Sequence, residues 1–162
     1  MCIVCTNEYD QNTTGLLCCK EVTEIPVLPN LTELYCQYTK VTEIPLLPNL
    51  TLLYCYNTKV TEIPVLPKLS ILYCSYAEVT EIPLLPKLTS LYCSHTEVKE
   101  IPLLSNLTTL DCANTKVTEI PVLPNLTELY CYNTGIKYIS HIYKNIYIGS
   151  NSKIKFYNDY NL

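Results

Sequence analysis

Arginine and tryptophan are absent from this 162-residue chain, and glycine, histidine, methionine and phenylalanine number only three, two, one and one. Each gap closes off a class of function. The absence of Arg and a net charge of -4 argue against a nucleic-acid-binding surface. Gly15, Gly135 and Gly149 stand too far apart to form a phosphate-cradling loop. With His95 and His141 alone, acid–base catalysis has little to work with. No apolar run approaches the roughly 18 residues that span a membrane. The opening Met-Cys-Ile-Val-Cys-Thr-Asn-Glu lacks the basic-then-apolar order of a secretory signal. The expectation is one cytoplasmic domain with no membrane contact, no nucleic acid, no cofactor and no enzymatic activity. Loss of Arg and Trp beside abundant Ile, Asn, Lys and Tyr also suggests AT-rich codons.

What the chain does have is a period. Ile-Pro recurs at Ile25, Ile44, Ile63, Ile82, Ile101 and Ile120, and a Leu-x-Cys triplet ends at Cys36, Cys55, Cys74, Cys93, Cys112 and Cys131, every 19 residues. A fixed period of this length marks a solenoid, one small unit stacked on copies of itself. Numbering residues 31–49 from 1 to 19, positions 3 to 7 alternate, with Leu34 and Cys36 on one face and Glu33, Tyr35 and Gln37 on the other. That is the period of a short strand, and stacked copies pair such strands in a parallel sheet about 4.8 Å apart.

The second half of each copy cannot be helical, because Pro at positions 15 and 18 removes backbone donors and restricts the residues before it. Their spacing matches the three-residue turn of polyproline II. Ile at 14, Leu at 17 and the next Leu at 1 then point inward. Glu at 13, Val or Leu at 16 and Asn or Lys at 19 share an outer edge.

Leu31-x-x-Leu34-x-Cys36-x-x-Thr39-x-Val41 resembles the leucine-rich repeat, with Cys for the third Leu and Thr for the usual Asn. The Ile-Pro-x-Leu-Pro return resembles the short repeats of bacterial effectors, and the Cys-rich, Thr-substituted form is similar to repeat proteins of giant amoeba-infecting viruses. The resemblance covers residues 16–142. It implies a nearly helix-free, right-handed solenoid with a concave parallel sheet and an extended convex side. It also implies a non-enzymatic recognition scaffold whose partner is a protein, a host protein if the chain is viral, acting in the host cytoplasm. Because a hydroxyl satisfies fewer groups than an amide, Thr39, Thr58, Thr96, Thr115 and Thr134 put the usual turn bonding in question, and Ala77 breaks the series.

The ends depart from the pattern. Residues 1–15 read as an N-terminal cap, 16–142 as about seven repeats, and 143–162 as a C-terminal cap. Leu16-Leu17-Cys18 reads as a first strand. Ser140 replaces the Pro after Ile139, Tyr143, Ile146 and Ile148 fill a last strand, and Ile154, Phe156 and Tyr157 cover the open end of the core. Residues 1–135 carry charge -7 and residues 136–162 carry +3, which reads as a solvated basic cap.

The six periodic Cys form one inward column. Parallel register aims them the same way, a poor match to disulfide geometry, so they read as buried apolar thiols in a reducing compartment. Cys93 and His95 are near in sequence, but alternation turns Cys93 inward. Cys2-x-x-Cys5 has metal-knuckle spacing, and Cys18-Cys19 could close a four-thiolate site. Cys18 is required in the core, so no metal is expected. Of the sequons at Asn12, Asn30, Asn49, Asn106 and Asn125, the last four are the repeat's own turn residue followed by Leu-Thr, and no glycosylation is expected.

Position 5 presents Tyr35, Tyr54, Tyr73, Tyr92, Asp111 and Tyr130 to solvent, and positions 7 and 8 add Tyr38, Tyr56, Tyr76, His95 and Tyr132. Tyr favours strands and self-stacks, and it is equally favoured at recognition surfaces. These eleven residues are the expected partner-binding face, with Asp111 opening a notch for a basic group. Glu24, Glu43, Glu62, Glu81, Glu100 and Glu119 form a solvated rail that Lys40, Lys59 and Lys116 are expected to soften. Val27, Leu46, Val65, Leu84, Leu103 and Val122 form an apolar stripe on the same edge. The alternative function is self-association through that stripe.

Overall fold

Eight three-residue strands stack in one parallel sheet, each paired with its neighbour without a slip in register. A computed structural model of the chain describes residues 2–150 and 154–157. Lys153, Asp159 and the other residues of the expected C-terminal cap from 151–153 and 158–162 lie outside these. The strands are β1 (Gly15–Leu17), β2 (Glu33–Tyr35), β3 (Leu52–Tyr54), β4 (Ile71–Tyr73), β5 (Ser90–Tyr92), β6 (Thr109–Asp111) and β7 (Glu128–Tyr130). A two-stranded parallel sheet pairs β8 (Tyr138–Ser140) with β10 (Lys155–Tyr157), and β9 (Tyr147–Gly149) closes the large sheet against β7. Among the described residues helix is confined to α1 (Ile3–Thr6) and a 3-10 turn at His141–Asn145.

The period explains the register. Leu34, Leu53, Leu72, Leu91, Leu110 and Leu129 lie in one fully buried column, each paired with the next, and Leu16 joins it at the start as the sequence expects. The six periodic Cys occupy a second buried column, at most 1% exposed, and all ten thiols are free. Strand bonding runs one residue past each strand, for the Cys36 amide donates to the Tyr54 carbonyl at 2.8 Å. Ile at 14 and Leu at 17 fill the far side of the core, so each coil buries a strand face and a return segment together.

Proline shapes the return. Leu28-Pro29-Asn30-Leu31 is a β-turn in which the Leu31 amide donates to the Leu28 carbonyl at 3.1 Å, with Pro at the second position where its fixed φ fits. The Asn after it reaches back one coil, as when Asn49 Nδ2 donates to the Pro29 carbonyl at 2.7 Å. Four of the sequon amides, those of Asn30, Asn49, Asn106 and Asn125, are engaged in this way.

Threonine at position 9 closes the opposite turn and answers the question its presence raised. Thr58 Oγ1 donates to the Cys55 carbonyl at 2.5 Å and accepts from the Val60 amide at 3.5 Å, and Thr39 and Thr115 repeat the pair. The hydroxyl bonds within its own coil, and links between coils come from elsewhere. Position 2 supplies one such ladder. Thr51 Oγ1 donates to the Thr32 carbonyl, Ser70 to Thr51 and Thr89 to Ser70, each within 3.0 Å.

The C-terminal end corrects the sequence reading. Tyr143 is not in the last strand; it lies 1% exposed in the 3-10 turn. Its hydroxyl donates to the Pro121 carbonyl and accepts from the Leu123 amide, both at 2.6 Å, satisfying backbone groups of the last return segment. Ser140 stands in place of Pro because its side chain caps that turn, accepting from the Ile142 amide at 3.2 Å. Ile148 does pair with Leu129. Ile154 packs against the core, whereas Phe156 is 45% exposed and is not among the residues packed against it.

Candidate recognition face

Alternation in each strand puts position 5 outward, and parallel register then aligns these side chains one coil apart. The series Tyr35, Tyr54, Tyr73, Tyr92, Asp111 and Tyr130 is one line of paired residues, half-buried throughout. Ring centroids are 5.2 Å apart for Tyr35–Tyr54, 4.3 Å for Tyr54–Tyr73 and 4.1 Å for Tyr73–Tyr92. The planes approach parallel along the series, from 31° to 19° to 4°. Leu17, 65% exposed and paired with Tyr35, extends this line at its start, a member that the sequence reading omitted.

The residues at positions 7 and 8 divide into groups. Tyr56 meets Tyr54 edge-on at 6.3 Å and Tyr38 at 5.0 Å, joining both to the ladder. Tyr76 and His95 stack on each other at 4.1 Å as a separate pair. His95 Nε2 lies 3.0 Å from Asn114 Nδ2, and Asn133 continues the row by donating to Asn114 Oδ1 at 2.8 Å. Tyr130 and Tyr132 lie beyond Asp111, with Tyr130 against Tyr147 at 5.4 Å. Their rings fit because the paired residue is Gly149, where an added Cβ would stand 2.8 Å from the Tyr132 hydroxyl oxygen and 3.0 Å from Tyr130 Cδ1.

Position 8 carries a backbone feature the sequence reading did not foresee. Tyr38, Asn57, Tyr76, His95, Asn114 and Asn133 all have φ between 52° and 58°. Asn tolerates this left-handed conformation, and its three occurrences here were the available signal. Tyr and His adopt it only because the coils on either side fix the turn.

Burial raises the phenols of Tyr35, Tyr54 and Tyr73 above the ordinary value, and Tyr35 is raised further by its 3.1 Å contact with the Glu33 carboxylate. They are therefore neutral donors near pH 7. Asp111 breaks the row of rings and accepts from the Ala113 amide at 3.0 Å, beside small Thr109 and Ala113. Aromatic surface, phenolic donors and carboxylates on one face are chemically able to engage cationic groups. Cys93, fully buried, and exposed His95 point to different environments and form no nucleophile pair.

The outer edge is partly as expected. Val27, Leu46, Val65, Leu84, Leu103 and Val122 are 43–68% exposed in one stripe. Lys40 and Lys116 do not soften the carboxylate rail at position 13. They pair instead with Glu21 and Glu97 of the preceding coils, at 3.5 Å for Lys40, because those residues occupy the neighbouring position in the same column. A cavity of about 1330 Å³ opens near Glu119, Pro121, Lys137 and Phe156, lined also by Tyr138 and Tyr157 but by none of the ladder tyrosines. Among the described residues no helix is long and apolar enough to cross a membrane.

A parallel sheet whose coils alternate a three-residue strand with a Pro-kinked return is a leucine-rich solenoid. The family described as leucine rich repeats (2 copies) matches residues 29–68, 86–125 and 105–144, and the chain belongs to it. Among solved structures it is similar to a leucine-rich repeat protein of Leptospira interrogans, 26% identical with TM-score 0.67 over 79% of this chain and 40% of that one. It is also similar to the leucine-rich repeat domain of a Shigella effector (23% identical, TM-score 0.68, 93% of this chain and 75% of that one). YopM from Yersinia enterocolitica aligns at 19% identity and TM-score 0.61 over 90% of this chain and 36% of that one. The chain therefore spans less than half the length of two of these proteins. The comparison with curated proteins gave no match. Leucine-rich repeats are generally protein-interaction modules and generally non-enzymatic.

Proposed function

We propose that this chain binds a protein partner across the tyrosine face of its sheet, without enzymatic activity. The observation that carries this reading is the continuous array of Tyr35, Tyr54, Tyr73 and Tyr92, extended by Tyr56 and Tyr38. Rigid rings held by the scaffold present large contact area at low entropic cost. Asp111 is the acidic centre between two aromatic groups, and it receives a cationic side chain of the partner. Tyr76, His95, Tyr130 and Tyr132 form the rim.

Ten free thiols, six of them buried, favour a reducing compartment, and the cytoplasm is the place we assign. The resemblance to effector and viral repeats makes a host-cell protein the first partner to test. Affinity capture with the wild-type chain and with Tyr54→Ala, Tyr73→Ala and Tyr92→Ala combined tests the face. A partner retained equally by both, with the variant folded, would remove the ladder from the interface.

The exposed aliphatic stripe supports a second reading, association with another copy of the chain. Light scattering across concentration distinguishes the two. A monomer that captures its partner favours the face, and an oligomer dispersed by Leu46→Glu with Leu84→Glu favours the stripe.

A further inference from the structure

Four cysteines stand outside the periodic column, and the recognition face uses none of them. Cys2 caps α1, Cys5 lies within its single turn, and Cys19 follows β1. The structure folds α1 back so that the sulfurs of Cys2, Cys5 and Cys19 all lie within 4.8 Å of one another, with Cys5 and Cys19 at 3.3 Å. Tetrahedral zinc takes sulfur at about 2.3 Å, which sets neighbouring sulfurs about 3.8 Å apart. Cys5 and Cys19 stand closer than this and no pair is more than 4.8 Å apart, so small side-chain shifts reach that value. The objection from sequence was that the core needs Cys18, and it concerns a residue this cluster does not use.

A second observation concerns the donors around Cys2. The Cys19 amide donates to Cys2 Sγ at 3.3 Å, and the Cys2 thiol donates to the Leu17 carbonyl at 3.7 Å. Cys5 shares a hydrogen bond with Cys19 and lies close to Cys2. A cation among three sulfurs so placed offsets the repulsion between their thiolates. Cys18 is half-buried and packs against the core.

We propose that Cys2, Cys5 and Cys19 form a three-thiolate zinc site at the open end of the first coil, with a water on the exposed Cys5 side as fourth ligand. Each thiol gives its proton to solvent as its bond to zinc forms. The site fixes α1 to the solenoid. That helix has four residues and buries none fully, so it cannot persist on local bonding, while Ile3 and Val4 pack against the core it covers.

Cobalt(II) titration of the full reduced chain, followed by zinc(II), tests this. The expected result is a sulfur-to-cobalt charge-transfer band that saturates at one equivalent and vanishes on adding one equivalent of zinc. Cys5→Ser weakens cobalt binding by at least about tenfold, since loss of a ligand exceeds the loss of an outer-shell partner, and Cys18→Ala keeps the band. Far-UV dichroism verifies the fold of each variant. Alkylation of the wild-type chain needs no variant: zinc slows labelling of Cys2, Cys5 and Cys19 at least tenfold. A reduced chain without the band, an unchanged band in Cys5→Ser, loss of it in Cys18→Ala, or labelling indifferent to zinc would each overturn the site.

Discussion

The rings of Tyr73 and Tyr92 lie 4.1 Å apart and 4° from parallel, one coil removed from each other. They are closer than the roughly 4.8 Å between paired strands, so the rings lean together across the sheet surface. Tyr73 stacks on both sides, against Tyr92 and Tyr54, and the row ends where Asp111 replaces the next ring.

Tyr73→Ala removes two ring contacts at once. The expected loss is about 1–3 kcal/mol, from aromatic pairs worth roughly 0.5–1.5 kcal/mol each, read as a lower urea midpoint. Tyr73→Phe keeps the stack and stays within about 0.5 kcal/mol of the wild type. Equal midpoints for the Ala and Phe variants would mean that the stack adds nothing to stability.

Asp111→Tyr continues the ladder from Tyr92 to Tyr130 and fills the notch. Binding of a cationic partner group falls about tenfold or more, equivalent to about 1.4 kcal/mol, as calorimetry on an identified partner would show. Unchanged affinity would mean that the notch is not used.

Ala77 is a natural deletion of the turn hydroxyl. Ala77→Thr supplies the bonds that Thr58 makes, to the Cys74 carbonyl and the Val79 amide, and raises stability by about 1 kcal/mol. Thr58→Val does the reverse and lowers stability by about 1–3 kcal/mol, because it strands two buried backbone groups. Chemical denaturation of the pair, which should move in opposite directions, checks both.

Burial drives the thiols of Cys55, Cys74, Cys93 and Cys112 well above their ordinary value. In the unfolded chain they ionise near pH ~8.5. Their contribution is therefore complete below that pH, and it declines as pH rises toward the folded values, by about 1.4 kcal/mol per pH unit for each thiol. Urea midpoints measured from pH 8 to 11 should drop steeply, and Cys74→Ala should make the drop shallower by one proton. A flat profile would place the thiols in contact with water.

The inward columns were legible because a 19-residue period repeats each weak local signal six times. The pairing of Leu16 with Leu34 and of Ile148 with Leu129 followed from the same alignment. What was missed occurs once or depends on the backbone. Tyr143 turns inward because its hydroxyl finds a carbonyl 22 residues and an amide 20 residues earlier in the core's last return, and no spacing encodes that. The left-handed turn at position 8 was masked by Tyr38, Tyr76 and His95, which disfavour it on their own. The Thr and Ser hydroxyls at position 2 were present in every copy, yet they read as ordinary polar residues until their carbonyl partners were placed. Cys2, Cys5 and Cys19 meet only through the fold-back of α1.

Leu53 pairs with Leu72, and Leu72 with Leu91, in the same way, so in the buried column every internal coil sees the same leucine above and below. Duplicating or deleting one 19-residue unit between the ends leaves all other interfaces untouched. Such a molecule evolves by changing its length in fixed steps of about 4.8 Å, and each step adds or removes one aromatic rung from the surface it offers.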